Sequence, residues 1–173
     1  MNASVSVPAP ITVREMRRED YAALRALDDA VMRYSARTFL GFDWDRAAEA
    51  RREATRAITA DSFAFYVGTG CSFVAETGAE KGGVLVGYVL AQPLRHFDLE
   101  PLAVWVEDIS VHPAHHRRGA ATLLYRTLAA WGREQGATVV LAGIHPDNAP
   151  SLALHRHAGF AVHNTKTAVL HLD

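Results

Sequence analysis

The stretch Val111-His112-Pro113-Ala114-His115-His116-Arg117-Arg118-Gly119-Ala120-Ala121-Thr122-Leu123-Leu124 decides the reading of this chain. The apolar run Ala103 to Val111 leads into it and reads as a buried strand; an amphipathic pattern leaves it and reads as a helix. Between them lies a short basic turn with one glycine and two alanines. A strand, a loop of small residues and a helix N-terminus converge free backbone N–H groups and the positive end of the helix dipole on one spot, which is an anion site. Arg117 and Arg118 add positive charge, and the small residues let a phosphate approach the backbone closely. Two familiar phosphate motifs do not fit. No lysine follows Gly119, as a Walker loop requires, and a single glycine does not make a dinucleotide fingerprint.

A second segment lies downstream, Asn148-Ala149-Pro150-Ser151-Leu152-Ala153-Leu154-His155-Arg156-His157-Ala158-Gly159-Phe160. His116-Arg117-Arg118-Gly119-Ala120-Ala121 resembles the Gln/Arg-x-x-Gly-x-Gly/Ala loop of the GNAT superfamily of acetyl-CoA-dependent N-acetyltransferases, with His at the first position. Asn148, Gly159 and Phe160 fall in register with that family's second motif, and His155 stands where its tyrosine usually does. The resemblance covers Ala103 to Phe160; upstream it is a matching order of elements.

That order comes from periodicity and turn residues. Ile11 to Met16 reads as a strand, Arg18 to Met32 as a helix with a stripe at Tyr21, Leu24, Leu27 and Val31, and a second helix capped by Asp43 or Asp45 runs to Ile58. Strands Ser72 to Glu76 and Val84 to Gln92 form a hairpin, and Ala103 to Val111 follows as the most buried strand. A helix runs to about Gln135 and stops at Gly136, then come a strand Val139 to Ile144, a short helix Pro150 to His157 and final strands Ala161 to His163 and Thr167 to Leu172. The expected fold class is α/β, a GNAT-like mixed central sheet in the order β-α-α-β-β-β-α-β-α-β-β with helices on both faces. Residues 1–10 are expected to be a flexible tail, neither basic nor apolar enough for a signal peptide, and 11–173 a single domain.

Composition excludes several classes. With 49% hydrophobic and 21% charged residues and a net charge of −1, no whole-molecule field draws the chain to nucleic acid or to an anionic membrane. No apolar run is long enough to span a membrane. The single Cys71 excludes an internal disulfide, fits a cytoplasmic location and reads as a small core residue. His112, His115 and His116 cluster without the Cys, Asp or Glu spacing of a metal site, so no metal is expected.

The resemblance implies transfer of an acetyl group from acetyl-CoA to a primary amine, on a small molecule or a peptide N-terminus, by direct transfer in a ternary complex. The alternative is a non-catalytic acyl-CoA-binding or sensing module. Acetyl-CoA would lie along Ile109, Ser110 and Val111, on the loop His116, Arg117, Arg118, Gly119, Ala120, Ala121 and Thr122, and against Asn148, which also reads as a helix cap. A base with a pKa drawn toward neutral is needed, and burial does that to a carboxylate. Glu107 and Asp108 sit late in the buried-looking strand and face opposite sides by simple alternation. Glu107 is the preferred base and Asp108 the alternative. His155 would protonate or stabilise the departing thiolate. Phe39, Phe42 and Trp44, with Tyr34, either line the acceptor site or plug the core. Asn164-Thr165-Lys166 is too short a join between the last strands to fold over the acceptor, so an open mouth is expected there. Dimers are common in the resembled family, which leaves a homodimer open.

Overall fold

Five strands form one sheet in the order β1-β2-β3-β4-β5: Ile11–Glu15, Phe73–Thr77, Val84–Phe97, Glu100–Val111 and Val139–Ala142. The structure, a computed structural model, describes residues 9–78, 83–97 and 100–164. Neighbours are antiparallel except β4 and β5, which run parallel because the helix α4 (Ala120–Glu134) carries the chain across between them. The remaining helices are α1 (Tyr21–Ser35), continued by one wide turn at Ala36–Leu40, α2 (Glu49–Thr55), α3 (Ala60–Gly68) and α5 (Ala149–His157). Residues up to Gly143 form one compact unit and those from Ile144 another.

Strand alternation splits the core of the first unit in two. Tyr88 and Leu90 of β3 point to one face, where Leu24 and Leu27 of α1, Phe63 and Tyr66 of α3, Ile58, Met16 and Val74 close around them. Gly87 opens the opposite face to α4. A β-carbon there would stand 3.0 Å from the Ser110 carbonyl oxygen and 3.5 Å from Leu124, so glycine is what lets helix and strands close up. Arg14 ties β1 to the start of α1. Its guanidinium grips both Asp20 oxygens at 2.8 and 2.7 Å and also donates to Glu76. Burial acts to raise the Asp20 pKa, but Arg14 and the Arg17 amide outweigh it and hold the carboxyl below its usual range.

Several sequence expectations change. A further helix, α3, follows α2. Thr59 caps it, accepting from the Ser62 amide while Ser62 reaches back to the Thr59 amide. The α2 cap position is Ala48 rather than Asp43 or Asp45: Asp43 accepts from the Asp45 amide, and Asp45 pairs with Arg33. The first helix proper begins at Tyr21 and extends past Met32 to Ser35. The most buried strand is the centre of β3, because β4 is released by β5 beyond Val106. For the same reason β5 stops at Ala142, short of Ile144. Residues 161–164 form no strand, and their expected partner, 167–172, lies outside the described residues, as do Thr165 and Lys166 of the short join. Of the expected tail, residues 1–8 lie outside the described residues, while the Ala9 carbonyl accepts from Thr77 at 3.3 Å. No described helix is long and apolar enough to cross a membrane.

Candidate active site

Between β4 and α4 the chain runs through the short turn that its sequence predicts. After β4 a single 3-10 turn, Pro113–His115, turns the chain, and His112 caps it by accepting from the Ala114 amide. Arg117 and Gly119 then take positive φ, 61° and 85°, and α4 starts at Ala120 with Gly119 as its cap residue. Two left-handed residues so close together turn successive amides toward one side, the arrangement that cradles anions. Among the described residues, no carbonyl or side chain accepts from the amides of Arg117 through Thr122. Nothing lies within 4 Å of where a Gly119 β-carbon would stand. Arg117, Arg118 and Gly119 are exposed, Ala120 is buried under the helix, and Ala121 and Thr122 are half-buried. His116 does not point out from the loop: its Nε2 lies 2.9 Å from the Val111 carbonyl, and Tyr34 meets its ring edge-on. Among the described residues no group of His, Cys, Asp or Glu is placed to hold a metal.

β4 feeds this loop, and it is loosened on both sides at one level. The last β4–β5 pair is Val106 with Ala142. On the β3 side Leu90 pairs with Asp108 and Ala91 with Val106, so Glu107 is an extra residue in a β-bulge. From Glu107 to Val111, including Ile109 and Ser110, the edge turned toward β5 has no strand partner among the described residues.

The bulge separates the two candidate carboxylates. Glu107 is exposed and accepts from the Trp105 indole N–H at 3.1 Å. Asp108 turns to the α1 face and is half-buried. Its carboxylate accepts from the Ser110 hydroxyl at 3.1 Å, and the ladder register puts it on the same sheet face as Tyr88. Burial pushes its pKa up, while Tyr88 and Ser110 partly offset the rise. Tyr88, fully buried, also reaches Asp28 of α1 at 3.2 Å. Asp28 is itself fully buried, and desolvation raises its pKa to about 6 against the opposing Tyr88 hydrogen bond. Sequence reasoning passed over Asp28 and Tyr88. Asp28 stood on the apolar stripe, four residues after Leu24 and three before Val31, and a carboxylate on a core stripe is a signal in its own right.

In the second unit, Asn148 caps α5 by accepting from the Ser151 amide at 3.1 Å. His155 is 2% exposed. Its Nδ1 sits 2.8 Å from the Ser151 carbonyl, so it carries the hydrogen and donates, and Phe160 stacks edge-on against the ring. Of the aromatic segment, Trp44 is core, with the Arg56 guanidinium 5.3 Å from its ring. Phe39 is exposed beside Tyr34, and Phe42 lies under Arg51. Phe42 and Trp44 border an open concavity of about 440 Å³ together with Arg33, Arg37, Gly41 and Asp43.

Residues 11–173 match the model of the family described as "Protein of unknown function (DUF1999)". The chain is 37% identical over 84 residues to the L-methionine sulfoximine/L-methionine sulfone acetyltransferase of Salmonella typhimurium, covering 49% of this chain and 48% of that one. It is 36% identical over the same length to the L-amino acid N-acyltransferase MnaT of Escherichia coli, with the same coverage. The match thus spans about half the length of these curated relatives. Among solved structures, aminoglycoside acetyltransferase AAC(6')-Iy in complex with a bisubstrate analog superposes with a TM-score of 0.65 at 20% identity, over 95% of this chain and 99% of that one. AAC(6')-Ih of Acinetobacter baumannii gives 0.63 at 16%, over 95% and 98%. The fold is therefore the GNAT acetyltransferase fold, a mixed α/β sheet with helices.

Proposed function

The chain belongs to the family described as "Protein of unknown function (DUF1999)", and we propose that it is an acetyl-CoA-dependent amine N-acetyltransferase acting by direct transfer within a ternary complex, with residues 11–173 working as one catalytic domain. The observation that carries this is the row of unclaimed amides from Arg117 to Thr122, at the N-terminus of α4 and directly after an unpaired strand edge. The loop supplies donors for the CoA pyrophosphate, with Arg117 and Arg118 adding charge and Gly119 leaving room. The free edge at Ile109, Ser110 and Val111 supplies backbone partners for the amide-bearing arm of the cofactor. The acetyltransferase names of the curated relatives support the reading. They favour an amino-acid-like amine as acceptor, reached past the aromatic segment at Phe39, Phe42 and Trp44.

In the reaction, the neutral amine attacks the thioester carbonyl. A carbon–nitrogen bond forms, the carbon–sulfur bond breaks, and the amine proton passes to a carboxylate. Asp108 suits that task better than Glu107, because its pKa is raised by burial while it stays half-exposed. His155 is assigned the proton delivered to the departing thiolate. A cytoplasmic location would suit the use of acetyl-CoA, and the buried Cys71, its pKa raised by burial, is given no part in the chemistry.

The test is calorimetry with acetyl-CoA, followed by a thiol-release screen across amino acids, aminoglycosides and peptide N-termini. Asp108→Asn should lower kcat about 10²-fold with acetyl-CoA affinity intact, and Glu107→Gln should not. The opposite result would move the base to Glu107. Tight acetyl-CoA binding with no thiol release from any amine would leave the sensing module as the answer.

A further inference from the structure

A second carboxylate lies behind Asp108, and nothing in acyl transfer as described above calls for it. Asp28 stands on the apolar stripe of α1, between Leu24 and Val31, fully sealed from solvent. One of its oxygens meets the Tyr88 hydroxyl at 3.2 Å; the other, Oδ2, has no hydrogen-bond partner among the described residues. The buried Arg56 guanidinium pairs with Oδ2 only at 4.0 Å and engages Asp29 more closely. A buried carboxylate left half-satisfied is costly, and a purely structural site would be served by a leucine.

The geometry beyond Tyr88 gives Asp28 a use. Tyr88 pairs with Ser110 and Leu90 with Asp108 across the β3–β4 ladder, so Tyr88, Asp108 and Ser110 share one sheet face. The Tyr88 hydroxyl has one proton; it meets Asp28 at 3.2 Å and shares its sheet face with the Asp108 carboxylate. When Asp28 is ionised it takes that proton's hydrogen bond. When Asp28 is protonated it donates to the Tyr88 oxygen, and Tyr88 is free to donate to Asp108. Resting on the acetyltransferase reading, we propose that Asp28 is a positioning residue for the base: through the Tyr88 hydroxyl it shares one proton with Asp108 and so sets when Asp108 is ionised and able to accept the amine proton. The proton balance is closed. The resting pair holds one proton and one negative charge, Asp108 takes a second proton from the amine, and that proton leaves to solvent from the half-exposed Asp108 before the next turnover. The other ionisable groups that interact electrostatically with Asp108 are Tyr66 of α3, Tyr125 of α4 and the neighbouring Glu107. Each tyrosine stays neutral near pH 7, Tyr66 with a pKa near 12 and Tyr125 higher, because burial raises both, so Asp28 is the partner that titrates within the working range.

Two near-isosteric variants test this with opposite signs. Asp28→Asn keeps a donor to the Tyr88 oxygen and removes the competitor, so the Tyr88 proton belongs to Asp108 at every pH. The acidic limb of kcat/KM against pH should move down by ~1 unit. Tyr88→Phe removes the donor from Asp108, and the limb should move up. A merely structural role would lower kcat or the melting temperature in both variants without moving the limb. Carbon-13 NMR titration of the aspartate carboxyls needs no substrate. It should show a two-step titration at Asp108 in the wild type and a single step in Asp28→Asn. If no amine is acetylated, the acetyltransferase reading fails while the NMR titration still decides the proton sharing. If one variant does not fold, the other decides. A single-step Asp108 titration in the wild type, or an unmoved limb in a folded variant, overturns the proposal.

Discussion

Replacing Gly119 with glutamate is the sharpest perturbation of the cofactor loop, because the protein itself offers almost no steric objection. Gly119 has φ 85°, and its absent β-carbon would meet nothing within 4 Å. An L-residue there carries only the left-handed penalty, about 1–2 kcal/mol. A negative side chain at a helix N-terminus returns ~0.5 kcal/mol of that. The variant should therefore fold, and Gly119→Ala serves as the control for strain without charge. The ligand bears the rest. A carboxylate held at about 6 Å from a phosphate, at an effective dielectric near ~40, costs about 1.4 kcal/mol for each unit of phosphate charge. Acetyl-CoA affinity should fall at least tenfold by calorimetry. The alanine variant should lose less, and the gap between the two should shrink as salt is raised from about 20 to 500 mM, because an exposed charge pair is screened over that range. A folded Gly119→Glu protein that binds acetyl-CoA like the wild type would refute the loop assignment.

Other expectations rest on packing and linkage. Gly87→Ala should cost about 1–3 kcal/mol in denaturant unfolding, because the new methyl would press on the Ser110 carbonyl and the Val111 side chain. Arg14→Ala should cost about 2 kcal/mol at neutral pH, since it strands the largely buried Asp20. The Asp20 pKa is depressed in the fold, so its stabilisation is present above the unfolded value and lost as pH falls through the folded one; in Arg14→Ala that part of the acid sensitivity should shrink. Asp28 has the opposite sign. Its folded pKa is raised from 3.8 to about 6, so its stabilisation is full below the unfolded value and fades by neutral pH, a change of about 3 kcal/mol. Asp28→Asn should flatten that slope in unfolding curves taken from pH 4 to 7.5. Trp44→Ala should destabilise by about 3 kcal/mol as a core deletion, whereas Phe42→Ala should change acceptor KM more than stability.

The parts of this molecule that were legible in the sequence are those where one local rule acts alone. The loop at Arg117–Thr122 needs a strand, small residues and an amphipathic helix in succession, and each leaves a composition signature. Asn148 capping α5 and Gly136 ending the approach from α4 are of the same kind. The helix α3 was harder to see. Its sequence Ala60-Asp61-Ser62-Phe63-Ala64-Phe65-Tyr66-Val67-Gly68 is too uniformly apolar to show a stripe, and the signal was the Thr59–Ser62 cap, which uses serine where glutamate or glutamine is usual. Trp44 could not be separated from Phe42 because burial in a loop follows from tertiary closure, here against Arg56, and has no period.

The carboxylates show the limit most clearly. Period-two alternation treats Glu107 and Asp108 as mirror choices, one for each face. A bulge breaks that rule, and no residue in Val106-Glu107-Asp108-Ile109 announces it, since the bulged position is glutamate and not glycine. Its placement has a physical logic all the same. Val106 is both the last β4 residue paired to β5 and the last before the bulge, so β4 loses regular pairing on both sides at the same level. A strand released on one side only would keep its pleat and leave side chains in fixed alternation. Released on both, it can twist, and past the bulged Glu107 the chain resumes with Asp108 on the Tyr88 face while the opposite backbone edge has no strand partner among the described residues. The same loosening that frees the edge at Ile109 to Val111 therefore selects which carboxylate shares a face with the buried pair Tyr88 and Asp28. Deleting Glu107 should close the bulge with Leu90 still opposite Asp108 and Ala91 still opposite Val106, so Asp108 should keep the Tyr88 face. Acetyl transfer should then survive the loss of Glu107 if Asp108 is the base, and a deletion variant that folds but transfers no acetyl group would move the base to Glu107.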